Sequence, residues 1–333
     1  QTEILHALRT IYSGFEFRSL FNVFSTFINL YKAQYPDSQG FKQLKTNKFL
    51  SCYENERANI FLDICKEIYE YYIKTLRNEN KIDFDDMILQ AIDSIDKMEG
   101  FRYKYIIVDE FQDISQSRRR FLQSLIRHGS AKLFAVGDDL QAIYRFAGCD
   151  INIFLNFEKY FEDVKINYIT TTYRNSAELQ SIVEPFITAN PEQYVKHIQS
   201  DKHEKAPVRI IYHDNNRADA FLKALQKISQ IDTTANILVL GRNRHDIDCI
   251  LTPEIKLDEY GNIHYAQFSQ MNILYKTVHQ SKGLERDYVI LISGENARNG
   301  FPNKMENDRL LDLLLGDKSS FEFSEERRLF YVA

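Results

Sequence analysis

An apolar run that closes in clustered acids, Ile106-Ile107-Val108-Asp109-Glu110-Phe111-Gln112-Asp113, carries the strongest local chemical signal in this chain of 333 residues. Ligands of α/β sheets bind at the C-terminal ends of strands. Adjacent Asp and Glu there suit magnesium coordination by one carboxylate and a base or water-orienting role for the other. The same acids would also suit a helix N-terminus, where the helix dipole favours negative charge. A second apolar run ends in Val136-Gly137-Asp138-Asp139 and continues through Leu140-Gln141-Ala142-Ile143-Tyr144-Arg145-Phe146-Ala147-Gly148. An acid-plus-glutamine turn at that place can read the state of a bound phosphate. Tyr144 and Phe146, flanking Arg145, have the form of a stacking platform for unpaired bases, worth ~1–3 kcal/mol per base. Two aromatics in isolation are more often core.

Farther along, Thr170-Thr171-Thr172-Tyr173-Arg174-Asn175-Ser176 sets an arginine beside a helix-start signal at Asn175 or Ser176. Across a cleft such an arginine can neutralise a leaving phosphate, although a lone arginine is usually a surface charge. Thr277-Val278-His279-Gln280-Ser281-Lys282-Gly283-Leu284-Glu285 precedes an apolar run. Histidine, lysine and small hydroxyls ahead of a glycine suit a phosphate-contacting loop.

These residues need elements to position them. Up to about residue 80, apolar residues recur at threes and fours, as in Leu20, Phe21, Phe24, Phe27, Ile28 and Tyr31, and again in Ile60, Phe61, Ile64, Ile68, Tyr71 and Tyr72. That period predicts amphipathic helices. From Tyr103 onward, short continuous apolar runs at 105–108, 133–137, 208–212, 237–240 and 288–292 alternate with helical stretches such as 117–127. This pattern predicts buried parallel strands in two α/β lobes, divided near residues 160 to 170. The length also exceeds what one core usually organises.

Hydrophobic residues at 44% and charged residues at 27% are ordinary for a globular chain and argue against disordered, fibrous and membrane classes. A net charge of −5 recruits no nucleic acid globally, so any DNA path must be locally basic or aromatic. Cys52, Cys65, Cys149 and Cys249 are too scattered for zinc or a disulfide framework, which predicts a reduced, cytosolic protein. Neither a bilayer-spanning run nor a secretion signal is present, and both chain ends look cut.

Taken in order, the segments resemble the motif set of UvrD/Rep-like superfamily 1 DNA helicases. Asp83-Phe84-Asp85-Asp86-Met87-Ile88 is similar to the acidic helix motif of that family. Val108–Asp113 resembles motif II, Val136–Gly148 motif III, Tyr173–Ser176 motif IV, and Ile237–Asn243 the strand that follows it. Thr277–Glu285 resembles motif V, and Glu325–Ala333 the first half of motif VI. Within the family, Phe111, Gly137-Asp138-Asp139 and Gly300-Phe301-Pro302 look most like the helicase IV subgroup.

The resemblance implies two RecA-like P-loop NTPase lobes with parallel sheets and a helical subdomain: 1–80 the inserted helical subdomain, 81–166 the rest of the first lobe, 167–333 a lean second lobe with its accessory insertion small or absent. It implies ATP and magnesium as cofactors and single-stranded and duplex DNA as partners. Asp109 would hold the metal and Glu110 would polarise the attacking water. Gln141 and Arg174 would contact the γ-phosphate, and Glu285 would approach the ribose. Tyr144 and Phe146 would stack on bases, Phe146 standing where relatives often carry tryptophan. Thr277 and His279 would touch the DNA backbone, and Gln112 would link motif II to the DNA-side loops. Inchworm translocation, 3′ to 5′, is the implied mechanism.

No Gly-Lys dipeptide occurs, so the Walker A loop that cradles phosphates is missing from this sequence, and the motif VI arginine would lie just past Ala333. The expectation is a truncated fragment that hydrolyses little alone. A catalytically silent, motor-derived DNA-binding module is the alternative, and the motor part of a helicase-nuclease a third. Retention of Asp109, Glu110, Gln141, Arg174 and Glu285 favours a motor.

Overall fold

The computed structural model describes residues 14–46, 52–98, 100, 103–194, 196–214, 216–298, 300–304, 310–315 and 319–333. The chain divides into two compact units. The first comprises Gln1–Asp138, Tyr144–Val164 and Glu306–Lys318, and the second Asp139–Ile143, Lys165–Met305 and Ser319–Ala333. The division therefore falls first between two consecutive acids, Asp138 and Asp139.

The first unit opens with helices α1 (Gly14–Gln34), α2 (Gly40–Thr46) and α3 (Cys52–Asn78), the first and third where the threes-and-fours period predicted them. The predicted stretch before residue 14 lies outside the described residues. Their aromatic faces make a core in which Tyr31 stacks on Phe41 at 3.9 Å and Phe27 meets Phe61 edge-on at 5.0 Å. The Cβ of any residue other than glycine at position 40 would run into the ring of Tyr35. Cys65 is buried in this core, which pushes its thiol pKa up.

Helix α4 (Phe84–Lys97) begins at the acidic segment. Asp83 caps it, its carboxylate accepting from Asp86 N–H at 2.9 Å while Asp86 accepts from Asp83 N–H at 3.3 Å, a capping box. The buried ammonium of Lys32 on α1 reaches both acids at 2.7 Å and faces the ring of Tyr72. Arg120 of α5 (Gln116–Gly129) donates to the carbonyls of Ala33 and Gln34 at the end of α1.

Strands β1 (Tyr105–Val108) and β2 (Lys132–Ala135) pair in parallel, Ile107 beside Phe134. Ile106, Val108 and Ala135 pack on a core of Phe111, Ile114, Leu122 and Ile153, the last on helix α6 (Ile151–Leu155). The expectation that both strands are buried is corrected here: Tyr105, Ile107 and Phe134 stand exposed on the other face, because no described element of this unit covers it.

The second unit contains α7 (Ala177–Ile187), capped by Ser176, and α8 (Arg217–Ser229). Its three-stranded parallel sheet has β3 (Asn236–Gly241) in the centre, flanked by β6 (Asn272–Thr277) and β7 (Tyr288–Leu291). Burial of β3 from Ile237 to Gly241 explains its unbroken apolar sequence. Short antiparallel strands β4 (Lys256–Leu257) and β5 (Ile263–His264) form a side ribbon. Two short turns of helix matter to the site: α9 (Val278–Ser281) directly after β6, and α10 (Ser324–Val332) at the end. Residues 208–212, predicted as a strand, form no ladder among the described residues, and Val208, Ile210 and Tyr212 are exposed. Among the described residues, no helix is long and apolar enough to cross a membrane.

Candidate nucleotide and DNA site

In the first unit, Asp109 and Glu110 follow the last residue of β1, both exposed to solvent at the C-terminal end of parallel strands. That is where an α/β sheet presents groups to a ligand. Glu110 has φ 49°, the left-handed region, and its backbone N–H donates to Asp109 Oδ1 at 2.8 Å. A non-glycine residue held there stores on the order of 1–3 kcal/mol. The turn that follows, Phe111–Asp113, drives Phe111 into the core against Phe157 and Phe161.

Gln112 explains how the turn is held. Its side chain is fully buried, with the amide Nε2 donating to Glu110 Oε2 and the carbonyl Oε1 accepting from Asp138 N–H at 2.9 Å. One amide thus ties the carboxylate after β1 to the backbone after β2. Gly137 is required beside it: a Cβ there would lie 2.5 Å from Gln112 Oε1 and 2.8 Å from the ring of Phe154.

Tyr144 and Phe146, also in this unit, meet edge to face at 6.2 Å, with Arg145 between them in sequence and 3.6 Å from Asp312. Phe146 is 53% exposed and Tyr144 half-buried. Phe146 therefore does not fill a core.

In the second unit, Arg174 and Glu285, far apart in sequence, come within 3.9 Å on the surface. A pair so exposed contributes little to stability, which leaves both groups able to exchange partners. Thr277 ends β6 and is buried, its backbone N–H and its hydroxyl both donating to Gln280 Oε1 at 3.2 Å. His279, on α9, has its pKa pushed down to about 4 by burial first and the Arg242 guanidinium second, with Glu326 opposing. It is a neutral imidazole at neutral pH.

Several residues that sequence reasoning did not single out organise this unit. Arg242 makes a two-pronged bond to Glu326 of α10, at 2.6 and 3.2 Å, and Glu326 also accepts from Asn303 N–H at 3.0 Å. Segment 139–143 is held by Lys196, Lys282 and Arg328. Gln141 thus sits in the second unit, its backbone carbonyl accepting from Lys282 Nζ at 3.0 Å. The basic side chains in motifs V and VI were legible as a pattern, whereas Lys196 lies in no recognisable motif. Among the described residues, no cluster of three or more histidine, cysteine or acidic side chains stands ready to hold a metal.

Comparison with known proteins supplies the frame for these positions. Residues 22–162 match the UvrD/REP helicase N-terminal domain, and 251–333 match the UvrD-like helicase C-terminal domain. DNA helicase IV of Escherichia coli (strain K12) is 34% identical over 78% of this chain and 36% of its own length. The ATP-dependent DNA helicases PcrA of Bacillus subtilis (strain 168) and Leuconostoc citreum are 27% and 24% identical over 51% and 71% of this chain. The chain spans only 24% to 36% of the length of these three relatives.

Proposed function

Because this chain belongs to the UvrD/Rep helicase family, whose domains carry a RecA-like α/β fold, we propose that the full-length protein is an ATP-driven motor. It translocates 3′ to 5′ on single-stranded DNA and unwinds duplex in repair or recombination. The two compact units correspond to two motor lobes, with the helices up to about residue 80 forming a subdomain inserted in the first.

The roles follow from chemistry at each position. Bound ATP with magnesium supplies a phosphoanhydride whose cleavage passes through a charge-rich transition state that the protein stabilises by placement and electrostatics. Asp109 would hold the magnesium. Glu110, turned out of the strand by its left-handed backbone and steadied by Gln112, orients and polarises the attacking water. Gln141 and Arg174 contact the γ-phosphate and Glu285 the ribose. Tyr144 and Phe146 stack on bases, and Thr277 and neutral His279 lie against the DNA backbone, where an imidazole N–H donates to phosphate without adding charge.

The observation that carries this proposal is the Gln112 bridge, which couples the Glu110 carboxylate after β1 to the Asp138 backbone after β2 through a single buried amide. The test is ATP hydrolysis by the full-length protein with and without single-stranded DNA, beside Glu110→Gln. Hydrolysis that requires DNA and is lost in the variant supports a motor. DNA binding with no hydrolysis in the wild type would instead make the protein a silent binding module.

A further inference from the structure

Asp139 has a fully buried carboxylate, one residue past the point where the chain leaves the first unit. Its Oδ1 accepts from Lys196 Nζ at 2.6 Å and its Oδ2 from Tyr194 N–H at 3.1 Å, while its backbone carbonyl accepts from Gln193 Nε2 at 3.3 Å. The segment it begins is pinned at two further carbonyls: Lys282 Nζ donates to Gln141 O at 3.0 Å, and Arg328 Nε to Ala142 O at 2.7 Å. Leu140, Ala142 and Ile143 are buried beside them. Three separate stretches of the second unit, around 193–196, after α9 and on α10, therefore grip five residues.

Burying an ion pair is a poor way to gain stability, since an apolar pair of the same volume packs as well without the desolvation cost. What a buried pair supplies is registry: a carboxylate with its oxygens committed to one ammonium and one backbone N–H accepts a single position of its chain. Apolar Leu140 and Ile143 could slide by fractions of a residue, whereas Asp139 cannot without stranding a charge. The preceding residue, Asp138, is tied through its N–H to Gln112 and so to Glu110, within the first unit. Consecutive peptide units are thus anchored to different units of the molecule.

We propose that Asp139 and Lys196 form an internal latch that fixes the register of segment 139–143 against α9 and α10, making both positioning residues that act through Gln141. This rests on the motor function proposed above. The latch keeps the glutamine-bearing segment moving with the second unit, so that a change sensed by Gln141 is transmitted to the elements carrying His279 and Arg328 instead of being absorbed by slippage of the loop.

The experiment compares full-length wild type with Asp139→Asn, Lys196→Met and the charge-reversed double variant Asp139→Lys/Lys196→Asp. Amide hydrogen exchange over 137–144 and in β3 is followed together with the steady-state hydrolysis constants and the ATP consumed per base pair unwound. The latch predicts at least tenfold faster exchange at 139–143 in each single variant while the β3 amides exchange as in wild type, a lowered melting temperature in both single variants because each strands one buried charge, and a KM for ATP within twofold of wild type. It further predicts a several-fold rise in ATP consumed per base pair, with partial recovery in the double variant. Exchange that stays at the wild-type rate overturns the latch, whatever the activity. Faster exchange with an unaltered ATP-to-unwinding ratio overturns the positioning role and leaves a structural pair. A wild type that hydrolyses no ATP defeats the motor proposal and the positioning role with it, while the exchange data still decide the latch.

Discussion

Gln112 holds Glu110 by its amide N–H and Asp138 by its amide oxygen, a bridge that uses both ends of a fully buried side-chain amide. Replacing it with alanine leaves the Asp138 N–H without its acceptor and frees Glu110 to leave the left-handed turn. The expected loss of stability is ~1–3 kcal/mol, and the expected fall in DNA-stimulated turnover is on the order of tenfold to a hundredfold, as for a misplaced catalytic group. Denaturant melts and initial rates on the full-length protein check both. Turnover that falls no more than the folded fraction would reduce Gln112 to scaffolding.

Phe146 separates a base platform from a core aromatic. With 53% of its surface exposed, Phe146→Ala should barely change the melting temperature. It should weaken single-stranded DNA binding by about 1–3 kcal/mol, with Phe146→Trp restoring affinity. Fluorescence anisotropy with a labelled oligonucleotide measures this, and equal affinity in all three proteins would remove Phe146 from the DNA path.

Lys32 with Asp83 and Asp86 predicts a strongly asymmetric pair of substitutions. Asp83→Ala removes both the helix cap and a partner of a buried ammonium, at a cost of roughly 3–5 kcal/mol. Lys32→Met leaves behind two acids that are 28% and 21% exposed in their side chains and can hydrate, so it should cost markedly less. Burial alone would raise the Asp83 pKa, but bonds from Lys32, the Asp86 N–H and Tyr72 outweigh it and hold it below the ordinary carboxylate value. The resulting stability is present above the unfolded pKa of 3.8 and disappears as pH falls through the lower folded value. Urea midpoints between pH 2 and 5 should show a slope that Lys32→Met flattens.

His279 provides a second pH signature at a different range. Its folded pKa of about 4 lies below the ordinary 6.5, so between those values the unfolded chain takes up a proton that the folded one refuses. Stability from this group is complete above pH 6.5 and declines as pH falls toward 4. His279→Gln should remove that part of the acid slope. An identical slope in the variant would mean that the ring is hydrated and titrates normally.

Much of the architecture was legible because its signals are local. The threes-and-fours spacing of Phe24, Phe27, Ile28 and Tyr31 reports a helix whichever partner it packs on, and Ser176 marks the start of α7 by its own hydroxyl. The unbroken apolar run at β3 announced a buried strand. Residues 208–212 carry a similar apolar pattern but run unpaired, since ladder pairing depends on a neighbour that no local pattern encodes. Likewise an apolar run cannot say whether both faces of its strand are covered, and β1 proved open on one.

At the site, the residue types at the strand end after β1, the aromatics around Arg145 and the loop after β6 are determined by the sequence alone, because each is a short contiguous arrangement whose chemistry survives without a partner. The tertiary structure decided the pairings: Gln112 with Asp138, Arg174 with Glu285, Arg242 with Glu326, Asp139 with Lys196. Each joins segments distant along the chain, and a long polar side chain reveals nothing about its partner until folding brings the two within hydrogen-bonding reach and removes the water that would otherwise satisfy them both.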